Sequence, residues 1–254
     1  MKTAVISGGA GGLGRALSHA LQSRGWRVVL LDLDVSGLDT GSNQLPVGCD
    51  LTDPDQLAMA TQKVIATCDS IDLVIYNAGV TQIRAFEKSD AASHRTLFDI
   101  NYFAAVEMAR AFLHPVRASK GTHLAISSVA GFAPLYHRTA YAASKHALEG
   151  FFKSLRSEEA PHGVDVLIAA PSFVATNPGN AQEQADGTAR PGSAKDGMDE
   201  MSPEAAAETI LRGLDKSQPM IPVGRVARLS WWLNRLSPRL YQRMMERNMR
   251  GSGH

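Results

Sequence analysis

The run Ser7-Gly8-Gly9-Ala10-Gly11-Gly12-Leu13-Gly14 follows directly on a short apolar segment, Thr3 to Ser7, and leads into an amphipathic stretch carrying Leu13, Leu17, Ala20 and Leu21. A strand that turns through glycines into a helix constrains the fold more than any other feature of this chain. Missing side chains let the backbone approach a pyrophosphate, and the helix N-terminus favours its negative charge by about 0.3–1 kcal/mol. Gly9, Gly11 and Gly14 also satisfy Gly-x-Gly-x-x-Gly, a pattern that draws its meaning from the strand before it and the helix after it. The alternative is a glycine-rich structural turn.

The same alternation continues along the chain. Apolar runs suited to buried parallel strands recur at Thr3 to Ser7, Arg27 to Leu33, Leu45 to Cys49, Leu73 to Tyr76, His123 to Ser127, Asp165 to Ala169 and Met220 to Val223. Helix-length stretches lie between them: Gly12 to Arg24, Pro54 to Thr67, a long one through Asn101 ending near Pro115, Tyr141 to Glu159, and Pro203 to Lys216. This order predicts an α/β fold of the Rossmann type, a doubly wound, seven-stranded and mainly parallel sheet with helices on both faces. Thr52-Asp53-Pro54 and Ser202-Pro203-Glu204 each set a capping residue ahead of a first-turn proline. Residues 177–201, rich in Gly, Pro, Gln, Asp and Ser, read as a long loop and the expected lid. Residues 1–224 are expected to form one domain that includes this loop, and residues 225–254 a basic amphipathic extension.

With 254 residues, 44% of them hydrophobic, the chain is long enough for one large core. Its 26 basic and 25 acidic side chains leave a formal charge of +1, which gives no general reason to expect a nucleic-acid partner. Cys49 and Cys68 are the only cysteines and show no metal-ligand spacing with histidine, so neither a disulfide framework nor a metal site is expected. Met1-Lys2 runs straight into the first strand, which leaves no room for a signal peptide, and no apolar run reaches membrane-spanning length. A cytoplasmic location is the expectation.

The chemistry-bearing residues are Ser128, Tyr141 and Lys145. Tyr141 and Lys145, four residues apart, share one helix face, close enough for the ammonium to act on the phenol. A free phenol titrates near pH 10, so ionising it near neutrality requires roughly 4 kcal/mol, and one cation about 4 Å away in an effective dielectric of about 20 supplies a similar amount. The force of these residues comes from their order: glycine loop after the first strand, Asn77-Ala78-Gly79 after the fourth, Ser128 at the end of the fifth, then Tyr141 and Lys145 opening a helix. In this order the chain resembles the short-chain dehydrogenase/reductase family along nearly its whole length. The family's Thr-Gly-x-x-x-Gly-x-Gly appears with Ser7 in place of Thr, then Gly8, Gly12 and Gly14. Its Asn-Asn-Ala-Gly appears as Tyr76-Asn77-Ala78-Gly79. Its Pro-Gly motif after the sixth strand appears as Pro171-Ser172, with Thr176 following.

The resemblance implies hydride transfer between a nicotinamide cofactor and a secondary alcohol or ketone. Tyr141 is then the acid/base, Lys145 the holder of the nicotinamide ribose, and Ser128 the hydrogen-bond partner of the substrate oxygen. Asn101 would hold a water that links Lys145 to solvent, unless it only bends its helix. Ser7, Gly8, Gly12, Leu13 and Gly14 would line the pyrophosphate, Asp50 and Leu51 the adenine, Asn77, Ala78 and Gly79 the nicotinamide ribose, and Pro171 and Thr176 the nicotinamide. Asp32 closes the second strand eighteen residues after Gly14, where its carboxylate can accept hydrogen bonds from the ribose hydroxyls and repel a 2′-phosphate. No Lys or Arg lies between Val28 and Gln62, so NAD is favoured over NADP; Arg15 is the nearest counter-argument.

From Val223 onward the chain carries Arg225, Arg228, Arg235, Arg239, Arg243, Arg247 and Arg250 against one acid, Glu246, with Leu229, Trp232, Leu233, Leu236, Leu240, Tyr241, Met244 and Met245 at helical spacing and a break near Pro238. Such a segment can cover the substrate cleft, meet a neighbouring subunit, or lie on an anionic membrane. All three place apolar surface near the cleft, so a hydrophobic or lipid-like substrate is expected. The resemblance implies a homodimer or homotetramer through the helices around Asn101 and Tyr141. His137, between Ser128 and Tyr141, reads as a surface-loop residue bordering the substrate. A non-catalytic NAD(H) redox sensor and a sugar-nucleotide epimerase are the rival readings. The retained Ser128, Tyr141 and Lys145 argue against the first, and the glycine spacing and short C-terminus against the second.

Overall fold

A computed structural model describes residues 1–177, 184, 186–192 and 200–251, with side chains to residue 247. Eleven strands occur among these residues: β1 (Thr3–Ser7), β2 (Arg27–Asp32), β3 (Gln44–Gly48), β4 (Leu73–Tyr76), β5 (Thr81–Gln82), β6 (Thr122–Ile126), β7 (Asp165–Pro171), β8 (Phe173–Val174), β9 (Thr188–Ala189), β10 (Glu200–Met201) and β11 (Met220–Val223). The eight α-helices are α1 (Gly12–Gln22), α2 (Pro54–Thr67), α3 (Ala91–Phe98), α4 (Ala104–Ser119), α5 (Thr139–Glu159), α6 (Pro203–Leu214), α7 (Arg225–Leu236) and α8 (Pro238–Gly251).

Seven strands form one sheet in the order β11-β7-β6-β4-β1-β2-β3, and every neighbouring pair is parallel. Parallel strands joined by helices are buried on both faces, which is why β1 and β4 are buried throughout and β2, β6 and β7 along most of their length. Alternate strand residues point to opposite faces. Val5, Val29, Val74, Ala125 and Ile168 meet α2, α4 and α5 through Val64, Met108, Phe112 and Phe152. Ile6, Leu30, Ile75, Leu124 and Ala169 meet α1 and α6 through Leu17, Leu21, Ile210 and Leu211. The chain winds outward in opposite directions from β1 and β4, and this switch point leaves a crevice at the carboxyl ends of those strands. Gly8 and Asn77 sit at its rim.

The strand and helix positions follow the sequence reading to within one or two residues, with instructive exceptions. The α4 helix does not stop near Pro115 but continues through it to Ser119. Proline removes a backbone donor and normally breaks a helix. Here Val116 is fully buried, Ser119 Oγ donates to the Ile71 carbonyl at 2.6 Å, and Arg117 forms an ion pair with buried Glu159 at 2.6 Å, so tertiary contacts hold the last turn. The backbone around Asn101 forms a five-residue π-turn, Asp99–Phe103, between α3 and α4 rather than unbroken α-helix. Most of the expected lid, 177–201, lies outside the described residues. The described part carries short β9, paired antiparallel with β5 just beyond Gly79, and β10, paired with β8. Among the described residues no helix is long and apolar enough to cross a membrane, and no group of histidine, cysteine or carboxylate side chains could hold a metal ion.

Candidate active site

The crevice begins at the glycine loop. Gly8 takes φ +64°, a left-handed conformation, and a Cβ there would come 2.9 Å from the Ala78 Cα. At Gly14 a Cβ would stand 2.3 Å from the Gly8 carbonyl oxygen. No side chain caps the first turn of α1, whose N-cap is Gly11, so its amides are open to an anion. This cradle and uncapped helix start fit a dinucleotide pyrophosphate. Ser7 and Asn77 fasten the loop to its neighbour: Ser7 Oγ accepts from the Asn77 and Ala78 amides at 3.0 and 3.1 Å, and Asn77 Nδ2 donates to the Ser7 and Gly8 carbonyls. Both side chains therefore build the loop from behind.

Asp32 closes β2 with its carboxylate aimed at the loop. One oxygen accepts from the Ala10 amide and the other from the Leu33 amide, each at 2.8 Å. Arg15, the counter-argument to NAD, is fixed against the glycine loop. Its guanidinium bonds the Ala10 and Gly37 carbonyls at 2.9 and 3.0 Å, which sets a cation beside the stretch that begins at Asp32. Asp50 accepts from the amide and hydroxyl of Thr52, while Asp53 caps α2 by accepting from the Asp55 and Gln56 amides. Leu51 packs against the core beside it.

At the opposite rim, Ser128 ends the segment after β6 and opens a short helical turn, its Oγ accepting from the Ala130 amide at 3.2 Å. Tyr141 lies in the first turn of α5, buried, with the Ser128 hydroxyl near enough to favour its ionised form. Ser127 is differently engaged, since its Oγ donates to buried Glu149 at 2.8 Å, and that separates the two adjacent serines. Lys145, one turn beyond Tyr141, donates from Nζ to the Ile126 carbonyl at 2.9 Å. Asn101 uses its whole side chain inside the protein: Oδ1 accepts from the Val80 amide at 2.8 Å, and Nδ2 donates to the Val80 carbonyl and to Ser144 Oγ. The side-chain atoms thus fix the segment after Gly79, and the π-turn accounts for the helix bend. Thr176 rests on the glycine loop, where a Cβ at Gly12 would meet its carbonyl at 2.6 Å, and its hydroxyl donates to the Pro191 carbonyl. Pro171 ends β7, and Ser172 after it needs no left-handed backbone, so the absent glycine costs no strain there.

The charges around Tyr141 differ from the sequence expectation. Burial dominates and holds the phenol above its ordinary range, while the nearby Ser128 hydroxyl and the Arg138 guanidinium act in the opposite direction. Lys145 was expected to be the cation that lowers the phenol. In the structure burial brings its ammonium down to about 8, opposed by the carboxylate of Glu149. Three contributors escaped the sequence reading: Arg138, Glu149 and the loop-facing role of Arg15. Arg138 stood three residues before Tyr141, and Glu149 one turn after Lys145 on the same helix face, so spacing alone could have marked both.

The model of the family described as short chain dehydrogenase matches residues 2–187. Among curated proteins, dehydrogenase/reductase SDR family member 7B of Xenopus laevis is 29% identical over 95% of this chain and 80% of its own length. Dehydrogenase/reductase SDR family protein 7-like of Drosophila melanogaster is 31% identical over 94% of this chain and 78% of its own. A short-chain dehydrogenase structure from Streptomyces avermitilis superposes with TM-score 0.82 at 26% identity, covering 99% of this chain and 100% of that one. A Burkholderia cenocepacia short chain dehydrogenase in complex with NADP superposes with TM-score 0.84 at 24% identity, over 96% of each chain. This chain belongs to the short-chain dehydrogenase/reductase family of NAD(P)-binding oxidoreductases.

Proposed function

We propose that the protein transfers a hydride between NAD and an apolar or lipid-like secondary alcohol or its ketone, with Tyr141 as general acid/base. The observation that carries this reading is the placement of buried Tyr141 beside Ser128 at the crevice, with Lys145 one turn along the same helix. In oxidation the Tyr141 phenolate takes the hydroxyl proton while Ser128 Oγ donates to the oxygen that becomes the carbonyl; in reduction Tyr141 returns the proton. The chemistry contributed by a bound nicotinamide is the hydride transfer itself. Lys145 holds the ribose hydroxyls in this reading, and Asn101 keeps Val80 and the preceding Gly79 in place beneath it.

Support for NAD comes from Asp32, whose carboxylate is fixed by two amides and would set a negative charge against a 2′-phosphate. Arg15 acts in the other direction, and the NADP in the Burkholderia cenocepacia structure makes the comparison worth measuring. Support for an apolar substrate comes from Phe132 and Leu135, partly exposed in the segment between Ser128 and Tyr141. The reading includes a homodimer or homotetramer through α4 and α5, for which the half-exposed Phe103 ahead of α4 gives support, and a cytoplasmic location, in keeping with two free thiols.

The test is NADH formation with a series of secondary alcohols of increasing chain length, repeated with NADP. Turnover that rises with chain length and prefers NAD by about tenfold or more is expected. Binding of NADH without turnover of any alcohol or ketone in the series would contradict the assignment and favour a sensor.

A further inference from the structure

The C-terminal helices present two different faces. On the inner face Ala227 and Tyr241 are buried against Val129 and Ala133, and Asn234 Nδ2 donates to the Phe132 carbonyl at 2.6 Å. This contact roofs the segment that follows Ser128. On the outer face Leu229, Trp232, Leu236, Leu240 and Met244 remain between 44% and 77% exposed. Leu229, Trp232 and Leu236 fall three and four residues apart and share one stripe of α7; Leu240 and Met244 share one stripe of α8. Exposed Arg225, Arg228 and Arg235 accompany the first stripe, and exposed Arg239, Arg243 and Arg247 the second. Arg235 stacks on Trp231, 5.4 Å from the ring centroid. Among the described residues no carboxylate forms an ion pair with any of these arginines.

We infer that the outer face of α7 and α8 docks on an anionic phospholipid bilayer. An apolar stripe bordered by arginines matches the boundary between acyl chains and anionic headgroups, where Trp and Leu leave water while guanidinium groups stay among phosphates. Isologous pairing of two copies of this face would oppose six arginines to six more, and a nucleic acid would leave the apolar stripe wet. The anionic bilayer satisfies both halves of the surface. Docking there places the roof over Phe132 and Ala133 at the lipid boundary, beside the crevice.

The 254-residue protein is sedimented with vesicles of phosphatidylcholine alone and of an equal mixture of phosphatidylcholine and phosphatidylglycerol, at low and high salt. Binding is read without turnover, so it stands or falls independently of the reaction assigned above. Strong binding to the mixed vesicles, at least about tenfold weaker on phosphatidylcholine and weakened by salt, is expected. The double variant Arg239→Gln/Arg243→Gln should weaken binding to the mixed vesicles by roughly twentyfold, and Trp232→Ser should weaken binding to both kinds of vesicle by roughly tenfold, with circular dichroism unchanged. Two results overturn the inference: sedimentation with neither vesicle, or a dimer in solution that Leu236→Ser converts to monomer.

Discussion

The Arg138 guanidinium and the Lys145 ammonium each lie 6.0 Å from the ring centroid of Tyr141. Arg138 is held there in part by a 3.0 Å hydrogen bond to Thr81 Oγ1, on the strand that pairs with β9. The Arg138 guanidinium opposes the effect of burial on the phenol. Arg138→Gln removes that influence, so the phenolate forms only at higher pH. The acid limb of the oxidation rate–pH profile should move to the alkaline side, with turnover near neutrality falling about tenfold. Arg138→Lys should restore part of the shift. A profile that stays in place in Arg138→Gln would show that the guanidinium does not act on Tyr141.

Adjacent Ser127 and Ser128 should separate into a structural and a catalytic defect. Ser127→Ala takes a hydrogen bond from Glu149, which is 1% exposed, and should cost about 1–3 kcal/mol in urea unfolding with turnover largely kept. Ser128→Ala should lower turnover by about 10²–10³ while costing only about 1 kcal/mol, the worth of its cap on Ala130. The reverse pattern would reassign the two positions.

Fully buried His123 shares a 2.6 Å hydrogen bond with the Tyr76 hydroxyl, and burial brings its imidazole down to about 4. A histidine depressed on folding contributes stability that is complete above its unfolded value of about 6.5 and is lost as pH falls toward 4; the amount is on the order of 3 kcal/mol. Arg117 adds to the depression and Glu159 opposes it. Urea midpoints compared at about pH 7 and about pH 4.5 should fall steeply for the wild type and less for His123→Gln, whose starting stability is lower. Equal falls would assign the acid sensitivity to other groups.

Asp32→Ser removes the negative charge beside the expected ribose and leaves Arg15 in place. The ratio of kcat/KM for NAD over NADP should drop by about tenfold or more, through the KM values rather than kcat. Further replacement of Arg15 by Ala should raise the KM for NADP again. An unchanged ratio in Asp32→Ser would place the discrimination elsewhere.

The sheet was legible because each parallel strand must be apolar on both faces, so that Val5, Val29, Val74 and Ile75 announce themselves without periodicity. Short β5, β8, β9 and β10 were not legible, since two residues carry no repeat and their pairing depends on segments distant in sequence. Pro115 misled for a related reason: the contacts that keep α4 helical beyond it come from Ile71 and Glu159. At the candidate site, the positions of Ser128, Tyr141 and Lys145 could be read from order and spacing. The commitments of Ser7, Asn77 and Asn101 could not, because each is defined by backbone groups of another strand end or loop. The electrostatics were hardest to read, because burial of Tyr141 outweighs the nearby cations and a sequence does not report burial quantitatively.

The most direct test of the proposed chemistry is NADH formation by the wild type and by Tyr141→Phe on a responsive secondary alcohol, with NADH binding followed by fluorescence in both. Turnover should fall by about 10³ or more in the variant while NADH affinity stays within about threefold, since only the phenol oxygen is removed. Turnover within about tenfold of wild type, with cofactor bound, would contradict Tyr141 as the acid/base.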